Sequence, residues 1–226
     1  MESSTVIGVP EPNLTADRTA RRAAANREAI IDAAEELLEA GGLGAVTVEA
    51  VAERADVAIQ TVYNRVGRRP EVLVAVAERA VAENRRYLEP AFAAPGTPRQ
   101  RLAGVARAYI AFAWERPRQF ELLNTPPDEP DALASIAAKI DEQVGRLAEI
   151  LAAGVADGTF DPTLEPPVAA TALWAMLEGV LSLGWRADRK DVAPVELRAM
   201  VDFAAATMID GISTRPSQPD DEEIHP

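Results

Sequence analysis

Within residues 47–73, TVEAVAERADVAIQTVYNRVGRRPEVL, the side chains Ile59, Gln60, Tyr63 and Asn64 fall on the outward arc of a short helix whose inward positions are Val62 and Val66. Such an arc of amide, phenol and aliphatic groups offers donors, acceptors and apolar surface to a partner, and a helix of this kind enters a DNA major groove by its N-terminal residues. The elements that must position it lie just upstream. Thr47 can accept a backbone N–H and open a first helix, on which Val48, Val51 and Ala52 share one face at i, i+3 and i+4. Asp56 supplies the turn, because Asp tolerates left-handed backbone better than most residues. The second helix then runs from about Ala58 to Arg65. Two short amphipathic helices across a tight turn, the second polar and exposed, have the layout of a helix-turn-helix.

The net charge of −13 is unevenly spread. Residues 1–86 hold 11 Lys and Arg against 14 Asp and Glu, and residues 87–226 hold 12 against 22, so the acidity sits in the second part. In the first part Arg18, Arg21 and Arg22 precede the first long helix, and Arg65, Arg68 and Arg69 follow the motif's second helix. Each triplet either neutralises phosphates or is an ordinary solvated helix end, and its place beside the motif favours phosphate. The overall acidic field opposes tight nonspecific binding.

Catalytic chemistry has little to work with. Cysteine is absent, which removes disulfides, zinc-thiolate sites and a thiol nucleophile, and the single histidine, His225, is the penultimate residue of an acidic, proline-containing tail. With no nucleophile–base pair or metal-ligand cluster in view, the expectation is a protein with no enzymatic activity, no metal and no cofactor. The opening residues, MESSTVIGVPEPN, lack the basic segment and apolar run of a signal peptide. Residues 168–185 are the most apolar stretch, but they are Ala-rich, contain Glu178 and follow two prolines, which reads as a buried helix rather than a membrane span. A cytoplasmic protein with no membrane partner is expected.

The remaining chain reads as helix punctuated by proline and glycine, with no alternating strand pattern and no internal repeat, so the fold class is all-α with about nine helices. A first helix, about Arg21 to Ala40, carries Ile30, Ala34, Leu37 and Leu38 on one face and stops at Gly41-Gly42. A fourth runs from Pro70 to about Leu88. Thr97-Pro98-Arg99-Gln100 is a capping box with Pro at the first helical position, opening a fifth with Leu102, Val105, Tyr109 and Phe112 inward. Pro117 begins a short sixth helix. The seventh repeats Leu133, Ala137, Ile140, Val144, Leu147 and Leu151 before Asp157-Gly158. The eighth, about Pro167 to Arg186, is apolar nearly all round and has to be buried on more than one side. The ninth, about Pro194 to Asp210, carries Leu197, Met200, Val201, Ala204 and Met208. Residues 1–14 and 213–226 lack apolar periodicity and read as a disordered arm and an acidic disordered tail.

Residues 47–73 resemble the TetR family of one-component transcriptional regulators, whose usual run is close to T-x-x-x-I-A-x-x-A-G-V-S-x-x-T-[LV]-Y-x-[HY]-F-x-S-K-E-x-L. The chain matches in register at Thr47, Val51, Ala52, Ala55, Val57, Thr61, Val62, Tyr63 and Leu73, with Glu71 shifted by one. It departs at Asp56 for Gly, Ala58 for the Ser cap, Arg65 for His, Val66 for Phe, and Arg68-Arg69-Pro70 for Ser-Lys-Glu; losing the cap costs roughly 1 kcal/mol locally. Residues 108–123, AYIAFAWERPRQFELL, resemble the Y-x-x-F-A-x-x-x-P-x-x-F-x-L-[LM] stretch of the family's effector domains. Residues 173–183, LWAMLEGVLSL, resemble a W-x-x-x-H-G-x-x-x-L run of one group, with Glu178 in the histidine position.

The resemblance implies a homodimeric, ligand-responsive repressor of a palindromic operator in double-stranded DNA. It implies a helix-turn-helix domain over residues 15–69 and an effector-binding and dimerisation domain over residues 70–212. Carried onto matching positions, it implies that Ile59, Gln60 and Asn64 face base edges, with Gln60 able to pair bidentately with adenine. Thr47, Thr61, Tyr63 and Arg69 would hold phosphates, with Arg65 an addition. For a small-molecule effector the body offers Tyr109, Phe112, Trp114, Phe120 and Trp174, a lining suited to an apolar or aromatic compound, although each also reads as core filler. Glu178 needs a partner in its apolar helix, either an Arg such as Arg107 or a cationic ligand. The eighth helix, apolar on both sides, reads as a dimer face helped by the ninth, with the central core helix of a monomer as the alternative. A helical carrier whose helix-turn-helix no longer binds DNA is the alternative, kept open by the departures and the acidic charge.

Overall fold

The computed structural model describes residues 14–125, 130–185 and 192–214. Among them the fold is all-α, as the sequence pattern predicts. In chain order the helices are α1 (Leu14–Gly41), α2 (Val48–Arg54), α3 (Ile59–Arg65), α4 (Arg69–Ala93), α5 (Pro98–Glu115), α6 (Pro117–Asn124), α7 (Pro130–Ala156), α8 (Pro166–Leu181) and α9 (Pro194–Gly211). The single extended pairing among these residues is an isolated bridge between Phe160 and Ser213. Two compact units divide between Ala75 and Val76, inside α4. The expected arm lies outside the described residues except for Leu14, and the expected tail except for Ser213 and Thr214.

In the first unit α1 begins at Leu14, well before Arg21, because neither proline nor glycine interrupts residues 14–40. It ends where Gly42, at φ 70°, turns its N–H back to the Leu38 carbonyl at 2.8 Å. Gly41 permits a close approach there: a Cβ on it would sit 2.6 Å from that of Ala45. α1, α2 and α3 pack together around Ile30, Leu38, Val46, Val51 and Val62, all completely buried. Val72, also buried, belongs to the start of α4 in the same unit.

The second unit holds the rest of α4 and α5 to α9. α4 continues through Pro90 to Ala93; so near the helix end, the missing N–H removes a single ladder bond. α5 opens with the expected capping box. The Thr97 hydroxyl accepts from the Gln100 N–H at 3.3 Å, and the Gln100 carboxamide accepts from the Thr97 N–H at 3.0 Å. α7 ends at Asp157-Gly158, with Gly158 at φ 81° and the Asp157 carboxylate accepting from the Thr159 N–H at 2.9 Å. The chain beyond α9 is tied to this turn: Asp161 N–H donates to the Ile212 carbonyl at 3.0 Å and Thr214 N–H to that of Thr159 at 3.1 Å. Apolar periodicity gave no sign of this anchor because it is made by backbone.

Two apolar clusters fill the second unit. Leu88, Phe92, Leu102, Val105, Ile150 and Phe160 belong to one, and Phe112, Phe120, Leu177, Leu181, Leu197 and Val201 to the other. The α7 repeat joins the first through Val144, Leu147 and Leu151; the side chain of Leu133 lies outside the described ones. α8 departs from the expectation of burial on several sides. Only Ala170, Leu177 and Leu181 are buried on it, while Val168 and Met176 are 69% and 53% exposed. On α9 Val195 and Phe203 are 75% and 74% exposed. Residues 166–184, with a mean hydropathy of 1.4, are long and apolar enough to cross a membrane by length and composition. In this fold the stretch packs one side on α7 and α9 and leaves the other open.

Candidate nucleic-acid interface and ligand cavity

The helix-turn-helix is built as the residues dictate. The Thr47 hydroxyl accepts from the Ala50 N–H at 3.1 Å and caps α2. Asp56 is the one non-glycine residue at positive φ, 51°, among the described residues, so the turn falls where Asp predicts it. Val57 N–H then closes on the Ala52 carbonyl at 3.0 Å. Ala58 begins α3 in extended backbone and gives it no side-chain cap. Buried Val62 seats α3, and this orientation leaves Ile59, Gln60, Tyr63, Asn64 and Arg65 exposed, with Thr61 half-buried.

Two details were not legible in the pattern. The Gln60 carboxamide donates to the Asn64 side-chain oxygen at 3.1 Å, so the two amides form one unit along the exposed face. Arg69 folds its guanidinium back onto the protein: Nε donates to the Val46 carbonyl at 2.7 Å and Nη2 to that of Leu43 at 2.6 Å. These bonds hold the start of α4 against the segment entering α2, a positioning role beside the phosphate role that the resemblance implies. Arg18, Arg21 and Arg22 are exposed on α1, and Arg68 is exposed after α3.

In the body a cavity of about 690 Å³, its open mouth included, lies among α4, α5, α7, α8 and α9. Phe92, Val105, Tyr109, Leu147, Trp174 and Met208 are among the residues that wall it. Of the six expected ligand residues it receives Tyr109 and Trp174. Phe112 and Phe120 are 0% and 1% exposed and belong to the core, where their rings meet edge to face at 6.2 Å. Trp114 packs against that core with Arg198 above its ring at 5.3 Å. Phe92, Gln143 and Met208 line the cavity without having been singled out. The signal available was the apolar face of α7 and α9, which marks burial without separating wall from core.

Glu178 is paired with neither Arg107, which is exposed, nor any other described base. Its Oε1 accepts from the Tyr109 hydroxyl at 2.8 Å. Burial pushes the Glu178 carboxyl up to about 7, and the Tyr109 hydrogen bond offsets part of that rise. Burial, then the neighbouring Glu178 charge, hold the Tyr109 phenol well above its usual range. Tyr109, which lines the cavity, is thereby joined to Glu178, a carboxyl outside the cavity lining with no counter-cation among the described residues.

Residues 30–67 match the family model for bacterial regulatory proteins of the tetR family, and residues 102–208 match the model for a tetracyclin repressor-like C-terminal domain. A comparison with curated proteins finds no match. Among solved structures the chain is similar to a protein of unknown function from Rhodococcus sp. RHA1, at TM-score 0.68 and 24% identity, covering 84% of this chain and 96% of that one. It is also similar to the fatty acid degradation regulator FadR from Bacillus halodurans, at TM-score 0.66 and 18% identity over 84% and 97% of the two chains. A third likeness is to the ketosteroid transcriptional regulator KstR2 of Mycobacterium tuberculosis, at TM-score 0.60 and 16% identity over 84% and 95%. At these identities the structural likenesses show the shared fold.

Proposed function

The chain belongs to the TetR family of DNA-binding transcriptional regulators, and from that premise we propose that it is a cytoplasmic homodimeric repressor, without enzymatic activity, released from a palindromic operator by a small apolar or aromatic effector. The observation that carries the reading is the walled apolar cavity in the body, present in the same chain as an exposed, polar reading helix. Ile59, Gln60 and Asn64 face base edges, and Thr47, Thr61, Tyr63 and Arg65 contact phosphates. Arg69 adds the support of the α2 entrance to any phosphate contact. The reader occupies residues 15–69 and the effector and dimerisation body residues 70–212. α4 runs unbroken from Arg69 to Ala93 and so belongs to both units, which makes it the continuous element through which effector and reader are coupled.

Release requires only that the effector bind the DNA-incompetent state better than the DNA-bound one. Linkage makes this measurable from either side, since a ligand that weakens operator binding is itself weakened by operator to the same degree, typically 5- to 150-fold. The test begins with selection of genomic fragments by the purified protein, with sequencing of those retained. A palindrome with half-sites about 10 bp apart is expected. Hydrophobic compounds that shift the thermal midpoint are then titrated against free and operator-bound protein. Recovery of no enriched sequence, with compounds still binding, would instead support a helical carrier.

A further inference from the structure

The apolar cavity of the body and a basic groove adjoin along the same two helices. On α4 Val81, Ala82 and Arg85 line the groove, and Leu88 and Phe92, further along, line the cavity. On α7 Lys139 and Arg146 line the groove, Val144 and Leu147 line the cavity, and Gln143 lines both. Arg146 marks the junction, because its guanidinium stands 4.3 Å from the ring centroid of Phe92, a wall of the cavity. On the reading that the cavity is the effector site, we propose that the groove is its headgroup end and that the effector is an amphipathic anion, with its apolar chain in the cavity and its anionic head against Lys139 and Arg146.

Charge sets the sign of the head and its direction. The groove sets Arg85, Lys139 and Arg146 against Glu142, and counting Glu89, which pairs with both arginines, still leaves positive charge in excess. Lys139 is exposed and has no ion-pair or hydrogen-bond partner among the described residues, so its ammonium is available to a ligand. No arginine, lysine or histidine among those residues lines the cavity, so a charged head cannot follow its tail inward without an uncompensated burial cost. The dimensions agree: Arg85 to Phe92 along α4, and Lys139 to Leu147 along α7, each span about 10–12 Å, roughly an extended decyl chain. The head also meets the tie between the two helices. Glu89 on α4 accepts from Arg146 on α7 at 2.7 and 3.2 Å, and Arg85 donates to Glu142 at 3.2 Å. An anionic head competes with Glu89 for Arg146 and so loosens the body's hold on the helix that continues into the reader.

Calorimetry on the full chain with decanoate, 1-decanol and decylammonium, each below its aggregation limit, tests the headgroup end. Decanoate is expected to bind about tenfold more tightly than decanol, and decylammonium no more tightly than decanol. Lys139→Glu reverses the groove's unpaired charge and is expected to bring decanoate to the level of decanol or below, while decanol is unchanged. Glu89→Gln removes the competing carboxylate and is expected to tighten decanoate alone; no gain overturns the competition at Arg146. Ile140→Trp fills the cavity and is expected to weaken decanoate and decanol together. Decylammonium that binds as tightly as decanoate, or a decanoate preference undiminished in Lys139→Glu, overturns the headgroup end and leaves the cavity standing as the effector site. If neither decanoate nor decanol binds, or if Ile140→Trp weakens neither, the cavity reading falls and the headgroup end falls with it.

Discussion

At the scale of single residues, Gln60 and Arg69 stand for two ways of supporting recognition. Gln60→Ala is expected to cost about 1–3 kcal/mol on the cognate site and to relax preference at one position per half-site. It also releases Asn64 from the 3.1 Å contact, so the neighbouring position loosens too. Arg69→Ala removes two hydrogen bonds to the Val46 and Leu43 carbonyls, a loss of about 1–3 kcal/mol in reader stability, read as a lower denaturant midpoint. If positioning is its whole contribution, the salt slope of DNA binding stays unchanged; a slope smaller by about one assigns it a phosphate as well. Glu178 supplies a pH test. Burial holds its folded-state pKa at about 7, above the ordinary carboxyl value of 4.5, so the folded chain binds more protons than the unfolded one between those values. The stability due to this group is fully present below about pH 4.5 and is lost as pH rises through 7. Glu178→Gln should therefore match the parent near pH 4.5 and exceed it at pH 8, by on the order of 1–3 kcal/mol in urea unfolding. A difference independent of pH would show that the carboxyl is not held neutral.

At the scale of elements, local signals were legible wherever a cap or turn fixes them. Thr47, Asp56, Thr97-Pro98 and Asp157-Gly158 all act in the structure as their side chains and backbone preferences predict. What spacing alone could not give is which apolar residues leave space between them. Phe112 shares a face of α5 with Tyr109, yet the first closes a core and the second opens on a cavity, because that outcome depends on the approach of α4, α7 and α9 from distant sequence. Gly154 is a further example. In sequence it looks like an ordinary weak point near the end of α7, whereas a Cβ there would stand 2.1 Å from a ring carbon of completely buried Phe160. Phe160 is pinned in turn by its N–H on the Gly154 carbonyl at 2.9 Å. Gly154→Ala is thus expected to destabilise the body by about 1–3 kcal/mol or more, against the usual gain for replacing glycine in a helix. A thermal midpoint at or above that of the parent would mean the ring relocates without cost.

At the scale of the whole molecule, the acidic excess of residues 87–226 and the open apolar face of α8 and α9 belong to one problem, since a strongly charged body has to keep an apolar surface out of water. Apolar periodicity showed that α8 needs cover on two sides, and the single chain provides it on one. Val168, Met176, Val195, Met200 and Phe203 remain exposed, beside an apolar groove that includes Met176, Val180, Phe203 and Met208. In the homodimer proposed above, a second copy presenting the same face would satisfy this surface by two-fold symmetry, and two reading helices would then meet the two halves of a palindrome. Phe203, at 74% exposure, has the largest side chain on the face and few contacts within its own chain to lose. Phe203→Asp should therefore leave the helical content and the thermal unfolding of the isolated chain nearly intact while placing two carboxylates against each other across the interface. Sedimentation at micromolar concentration is expected to give a dimer for the parent and a monomer for the variant. Affinity for the full palindrome should fall by about a hundredfold or more, as the second reader is no longer delivered with the first, while affinity for an isolated half-site stays the same. A parent that sediments as a monomer, or a variant that remains dimeric, would assign the α8–α9 face to some other partner and leave the two-fold operator without a structural basis.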